Sequence, residues 1–132
     1  MTGEAISQMQ DGTVVLTGGA EALSVPSGQP VTLQDVIRSE DGPVGAALRF
    51  RFVAPQIARE GGNVDFETAS ADMADLCQRF ALPRMAELGG APRQIIISLA
   101  AAEVPFGETA PEVTQFFESF RVENGTCIWE MF

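Results

Sequence analysis

Few residue types in this chain can do chemistry. Histidine is absent, and all eight basic residues are arginines. Without histidine or lysine, a serine hydrolase lacks its usual base and lysine Schiff-base chemistry is closed off. The remaining reactive pair is Cys77 and Cys127, fifty residues apart. No C-x-x-C motif is present, which disfavours a redox-active role. Two structural readings stay open. A disulfide would close a long loop, contribute roughly 3–4 kcal/mol in the loop-entropy model and imply an oxidising compartment. Alternatively, two reduced cysteines pack as small apolar residues. Spacing alone does not fix the Cα separation that a bridge requires.

Carboxylates and arginines supply the other candidates. Glu118 falls beside Met131 on a strand face that is otherwise apolar. A buried carboxylate there has a raised pKa and can serve acid–base chemistry, although a place at the sheet rim or an arginine partner is the more ordinary outcome. Arg49 and Arg51 alternate outward from a strand. They can hold a carboxylate ligand, or pair with acids on a neighbouring strand. Asp72 and Asp75 lie at i, i+3 on a helix and read as part of a solvated first turn. Glu60, Asp65 and Glu67 lack the calcium-loop pattern, and two cysteines without histidine build no zinc site. Neither a G-x-S-x-G elbow nor a phosphate loop occurs. Catalytic, cofactor and metal residues are therefore assigned to none.

The elements that would position these residues can be read from pattern and punctuation. Thr13 to Leu16 forms a short strand closed by Gly18-Gly19. Val25-Pro26-Ser27-Gly28 is a turn. Val31 to Ile37 suits either a short helix capped by Thr32 or, preferably, the first arm of a long hairpin through residues 39–43. Leu48, Phe50 and Phe52 alternate with Arg49 and Arg51 in the clearest strand, which Pro55 ends. Residues 56–69 read as a loop. The main helix then spans about 70–88, with Ser70 as its cap. Met73, Leu76, Cys77, Phe80 and Ala81 form its apolar stripe. Pro83 kinks it, and Gly89-Gly90 stop it. Gln94 to Leu99 is a central strand.

Residues 116–131 carry a strong hairpin signal. Asn124-Gly125 supplies the two positive-φ residues of a type I′ turn. That turn opposes Glu123 to Thr126, Val122 to Cys127, Phe120 to Trp129 and Glu118 to Met131. Phe116, Phe120, Val122, Cys127 and Trp129 then share a core face with Met131. The helix stripe, with Cys77 on it, is the natural cover, so both cysteines face one interface. The expected fold is α+β: a mostly antiparallel sheet whose C-terminal hairpin packs on one helix. Phe117, Ile128 and Phe132 fall on the other face. They form an interaction patch unless the N-terminal strands cover them.

The 132 residues suit one domain spanning 1–132, with 1–12 weakly ordered. Hydrophobic content of 45% against 20% charged places the chain among globular proteins rather than disordered ones. The formal charge of −10 repels phosphate backbones and anionic membranes. Nucleic acid is thus excluded as a partner, while a protein partner is admitted. No apolar run reaches the roughly 20 residues of a membrane span. Residues 1–12 show no secretory signal, and a chain whose signal had been removed would look the same.

Several blocks together carry a family resemblance. They are Val25-Pro26-Ser27-Gly28, the run Arg49 to Pro55, Asp72-Met73 with Leu76-Cys77, Ala81-Leu82-Pro83-Arg84, and the ending Thr114 to Glu130. The chain resembles a family of short, functionally uncharacterised proteobacterial proteins often labelled "acetolactate synthase". The resemblance spans about residues 23–132 and implies an exported, periplasmic protein. It supplies no catalytic residues. The synthase label is rejected on physical grounds, because that chemistry needs thiamine diphosphate held with a metal in a much larger enzyme. The expected function is that of a non-catalytic binding or assembly accessory of the cell envelope, stapled by Cys77 and Cys127. The alternative is a small-ligand-binding protein or small enzyme using Glu118 with Arg49 or Arg51.

Overall fold

The computed structural model describes residues 13–42, 45–85, 87–88 and 94–130. Six strands form one sheet in the order β1-β2-β3-β4-β5-β6. They are β1 Thr13–Thr17, β2 Thr32–Gly42, β3 Gly45–Val53, β4 Gln94–Ala100, β5 Gln115–Glu123 and β6 Thr126–Glu130. Every neighbouring pair is antiparallel except β3 and β4, which run parallel. A parallel pair needs a long crossover, and the helix supplies it. The ambiguous stretch 31–37 is strand. Thr32 does not cap a helix, and Asp35, three residues on, faces Arg51 across the β2–β3 pair. β2 continues to Gly42, so residues 39–42 belong to the strand rather than to a loop. Gly18 sits against β2, where a Cβ would lie 1.8 Å from the Leu33 carbonyl oxygen. Only glycine allows that approach.

The helix starts earlier than the pattern predicted. α1 spans Phe66–Leu76, with Asp65 as its cap accepting from the Thr68 N–H at 2.9 Å. Ser70 is a mid-helix residue, and residues 66–69 are helix rather than loop. The Thr68 N–H, with the Thr68 side chain, holds the Asp65 carboxyl below the usual carboxylate range. Beyond α1 the chain passes through a π-helical stretch, Cys77–Ala81, and a last helical turn, Leu82–Arg84. Pro83 explains the change, since its ring excludes the regular α-helical bond to the carbonyl four residues back. The Leu82 N–H instead reaches the Cys77 carbonyl. Gly89 and Gly90, expected to stop the helix, lie outside the described residues.

The core lies between the helix and one sheet face. Leu48, Phe50 and Phe52 of β3, Ile95, Ile97 and Leu99 of β4, and Phe120 of β5 meet Ala69, Met73, Leu76, Cys77 and Ala81. Each large apolar side chain so buried contributes about 1.5–3 kcal/mol relative to exposure. Phe80 closes one side of the layer, edge-on to Phe52 at 5.7 Å and to Phe50 at 6.2 Å between centroids. The Arg84 guanidinium covers the Phe80 ring at 3.7 Å. This is the α+β layout expected from the sequence, with the C-terminal hairpin under the helix.

Candidate functional site

The C-terminal turn has the predicted form. Asn124 and Gly125 have φ of 53° and 72°, and the register opposes Val122 to Cys127 and Phe120 to Trp129. That register delivers Cys127 to the helix, where it is bridged to Cys77 with a Cα separation of 6.3 Å. Gln78, the next residue, adds a second tie. Its side-chain amide donates to the Gly125 carbonyl at 3.1 Å, and its Oε1 accepts from the Cys127 N–H at 3.0 Å. An intramolecular disulfide and an amide clamp therefore fasten helix to hairpin at adjacent positions. The cysteines are joined to each other, and no free thiol is present among the described residues.

Two acids on this side of the sheet are buried and hydrogen-bonded. Glu118 is 8% exposed. It accepts from the Trp129 indole N–H and, at 3.3 Å, from the Ser70 hydroxyl. It is thus held by an indole and a hydroxyl rather than by an arginine. Its expected neighbour Met131 lies outside the described residues. Asp72 is completely buried, which corrects its reading as part of a solvated first turn. It accepts from the Ser27 N–H at 2.9 Å, the Ser27 hydroxyl at 2.6 Å and the Gln29 side-chain amide at 2.8 Å. The carboxylate pins the turn at residues 25–28 to the helix. Sequence reasoning missed this role, although a signal was available. With the helix begun at Phe66, Ala69, Asp72, Met73 and Leu76 form one i, i+3, i+4, i+7 stripe. Asp75, by contrast, makes an i, i+4 pair with the exposed Arg79 at 3.4 Å.

The helix-free face differs in kind. Directly opposed residues on neighbouring strands share a face. Glu118 opposes Ile97, which opposes Phe50; Arg49 and Arg51, flanking Phe50, project from the other side. Glu118 therefore does not meet Arg49 or Arg51, and the three form no common site. Arg51 makes a two-bond pair with Asp35 at 2.7 and 2.8 Å, and Phe106 of the loop after β4 lies 5.3 Å from its guanidinium carbon. Arg49, two residues away, sits in the row Ile37–Arg49–Ile96–Ser119–Glu130. Among the described residues, no hydrogen bond or ion pair engages it. Burial pushes its guanidinium below the ordinary arginine value, and the Arg51 charge adds to the shift.

Phe117 and Ile128 occupy this same face. Phe117 is 51% exposed, and Ile128 is half-buried. The N-terminal strands do not cover Phe117; they extend the sheet sideways. Nor do Phe117 and Ile128 form one patch. Ile128 opposes Arg121, four residues along β5 from Phe117, or about 13 Å at strand rise. The Arg49 row runs between them, with Gln94 donating to Ser119 at 2.6 Å beside it. Phe132 lies outside the described residues.

Clefts open elsewhere, beyond the carboxyl ends of β3 and β4. Arg59 and Thr114 line three adjoining hollows of about 330, 440 and 520 Å³. Their remaining walls include the exposed carboxylates Glu60, Asp65, Glu108 and Glu112. Among the described residues, no three His, Cys, Asp or Glu side chains are grouped to hold a metal ion. No helix there is long and apolar enough to cross a membrane.

Fold and site together define a small α+β domain with an internal disulfide. One sheet face is packed by a helix, and the other carries a half-buried arginine with no ion-pair partner among the described residues. The chain belongs to a family of unknown function, DUF6497, whose model matches residues 5–132. Comparisons with curated proteins and with solved structures return no match.

Proposed function

We propose that the protein is a non-catalytic binding or assembly accessory of an oxidising compartment, the periplasm, and that it binds through the helix-free face of its sheet. The observation that carries the binding role is the exposed Phe117 on the same face as a half-buried Arg49 without a partner among the described residues. Aromatic and arginine side chains are the types enriched where proteins meet. The Cys77–Cys127 bridge supports the compartment, because structural disulfides persist where thiols are oxidised. The resemblance to exported proteobacterial proteins supports it too. The missing histidine and lysine weigh against chemistry.

Two measurements test this reading. Thiols are counted in denaturant on protein recovered from its native compartment; two free thiols would refute the oxidising location. Separately, p-benzoylphenylalanine replaces Phe117 in living cells of the source organism, with Ala74 on the outer helix surface as the control position. A discrete adduct from position 117 and none from position 74 is expected. Failure of position 117 to give one would remove the face as the binding surface.

A further inference from the structure

We propose that the occupant of the helix-free face is a protein segment presenting one carboxylate to Arg49, with apolar side chains of the same segment lying over Ile96 and Phe117. The inference rests on the reading of this face as a binding surface and adds the chemistry of the partner.

The comparison of two arginines on one strand carries it. At Arg51 the cross-strand neighbour is Asp35, which supplies both carboxylate oxygens, while Phe106 covers the guanidinium. At Arg49 the cross-strand neighbours on both sides are isoleucines, Ile37 and Ile96. The place an intramolecular acid would take is apolar. Ile37 is 2% exposed, so the guanidinium is flanked by dry surface. A partly desolvated guanidinium gains most from an incoming carboxylate, which matches its planar fork with two parallel bonds. Among the described residues this half-buried group has no hydrogen-bond or ion-pair partner, and its nitrogens are left to solvent.

Charge narrows the partner further. The chain carries −10, so a broadly acidic partner is repelled at long range. On this face, however, Arg51 is matched by Asp35 and Arg121 by Glu123. Glu130, three strands away at the end of the same row, takes its hydrogen bonds from Gln94 and Ser119, which leaves Arg49 as the arginine of this face without an ion pair among the described residues. The fit is therefore a single acid set among apolar residues, not an acidic run. Geometry favours a polypeptide over a small carboxylate. Phe117 opposes Ser98, which opposes Arg51, so β5 carries it two strands away from β3. That is about 10 Å at ordinary strand spacing. An extended segment spans that distance while a small acid does not.

The test is selection of displayed random 12-residue peptides on the intact, oxidised chain. The peptides recovered should carry an Asp or Glu next to aromatic or branched aliphatic residues. Arg49→Gln should weaken those peptides about tenfold or more, as loss of a charged hydrogen bond implies. Arg49→Lys, which keeps the charge without the fork, should weaken them less. Thermal melts of each variant establish that it is folded. Recovered peptides that lack acids, or that bind Arg49→Gln as tightly as the parent, overturn the carboxylate seat. If Phe117→Ser still weakens those same peptides, the face remains the binding surface and the partner chemistry alone is wrong. Binding indifferent to both Arg49→Gln and Phe117→Ser overturns both.

Discussion

On the helix side of the sheet, Asp72 has three donors and Glu118 has two. On the helix-free side, Arg51 has both oxygens of a carboxylate, and Arg49 has no partner among the described residues. The first side shows what folding requires: a buried polar group is costly unless its bonds are made, and among the described residues the Gln29 Oε1 is the buried side-chain atom left without a partner there. The second side carries a half-buried guanidinium that has no acid partner among the described residues, its nitrogens left to solvent. Groups that break a local rule without compensation within the molecule tend to mark function. The contrast is therefore informative about where the protein acts, and it can be tested on both sides.

The largest expected effect is on the bridged side. Replacing Cys77 and Cys127 together by serine removes a cross-link closing a loop of 50 residues, worth about 4 kcal/mol in the loop-entropy model. Urea denaturation of the parent and the double variant, both free of reductant, measures it. A difference below about 1 kcal/mol would mean that the Gln78 clamp and the core hold helix to hairpin without the bridge.

Next comes Asp72. Asp72→Ala leaves the Ser27 N–H, the Ser27 hydroxyl and the Gln29 amide without their shared acceptor. A loss of about 3 kcal/mol follows from hydrogen bonds to a buried charged group. Asp72→Asn, which keeps one acceptor oxygen, should fall between. If Asp72→Ala unfolds at the same urea concentration as the parent, the turn at residues 25–28 is not anchored by this carboxylate.

These two sites also show how far the sequence was legible. Cys77 and Cys127 could be brought face to face on paper, because a type I′ turn fixes strand register and a helical stripe fixes a facing. Both are short-range rules, and both hold here. Asp72 was not found, because its meaning depends on where the helix begins. Ser70 offers a plausible cap, but Asp65 with Thr68 takes that role, and moving the start by four residues puts Asp72 on the buried stripe. The strand 31–37 stayed ambiguous because its β-branched residues and its Thr32–Asp35 spacing argue for different elements. Pairing with β3 decides it, and no local pattern reports that pairing. Arg49 and Arg51 look alike in sequence. Their difference arises from Asp35 against Ile37 on β2, a register that Asp41-Gly42 does not fix because the β2–β3 pairing shifts between Leu33 and Asp35 and between Ser39 and Gly42. Likewise, alternation placed Phe117 on the outer face, but its exposure depends on the N-terminal strands joining the sheet edge rather than folding over it.

A smaller effect distinguishes the exposed cap from the buried acids. The Asp65 carboxyl is held low by the Thr68 N–H in the folded chain, against about 3.9 when unfolded. A carboxyl whose folded value is depressed adds stability that is present above the unfolded value and lost as pH falls through the folded one. Melting the parent and Asp65→Ala from pH 7 to pH 2 should show two curves that are separated at neutral pH and converge in acid. Parallel curves throughout would mean that the cap contributes nothing through its charge.

The smallest expected effect has the opposite sign and bears most directly on the contrast between the faces. For Arg49 the folded value is lowered, so the protonated form is the disfavoured one in the folded chain. Its cost is present at every pH below the folded value, which covers the working range, because arginine does not lose its proton there. Removing the charge should relieve that cost. Arg49→Gln is therefore expected to raise stability by about 0.5 kcal/mol, the half-buried position and solvent screening keeping the gain small. Arg51→Gln should instead lower it, because Asp35 then keeps a partly buried carboxylate without its cation. Melting both variants alongside the parent gives the comparison in one experiment. A gain at position 49 with a loss at position 51 means that one arginine serves the fold and the other is retained at the expense of stability. Equal losses at both positions would show that Arg49 contributes to folding after all, and the unmatched charge would no longer single out this face.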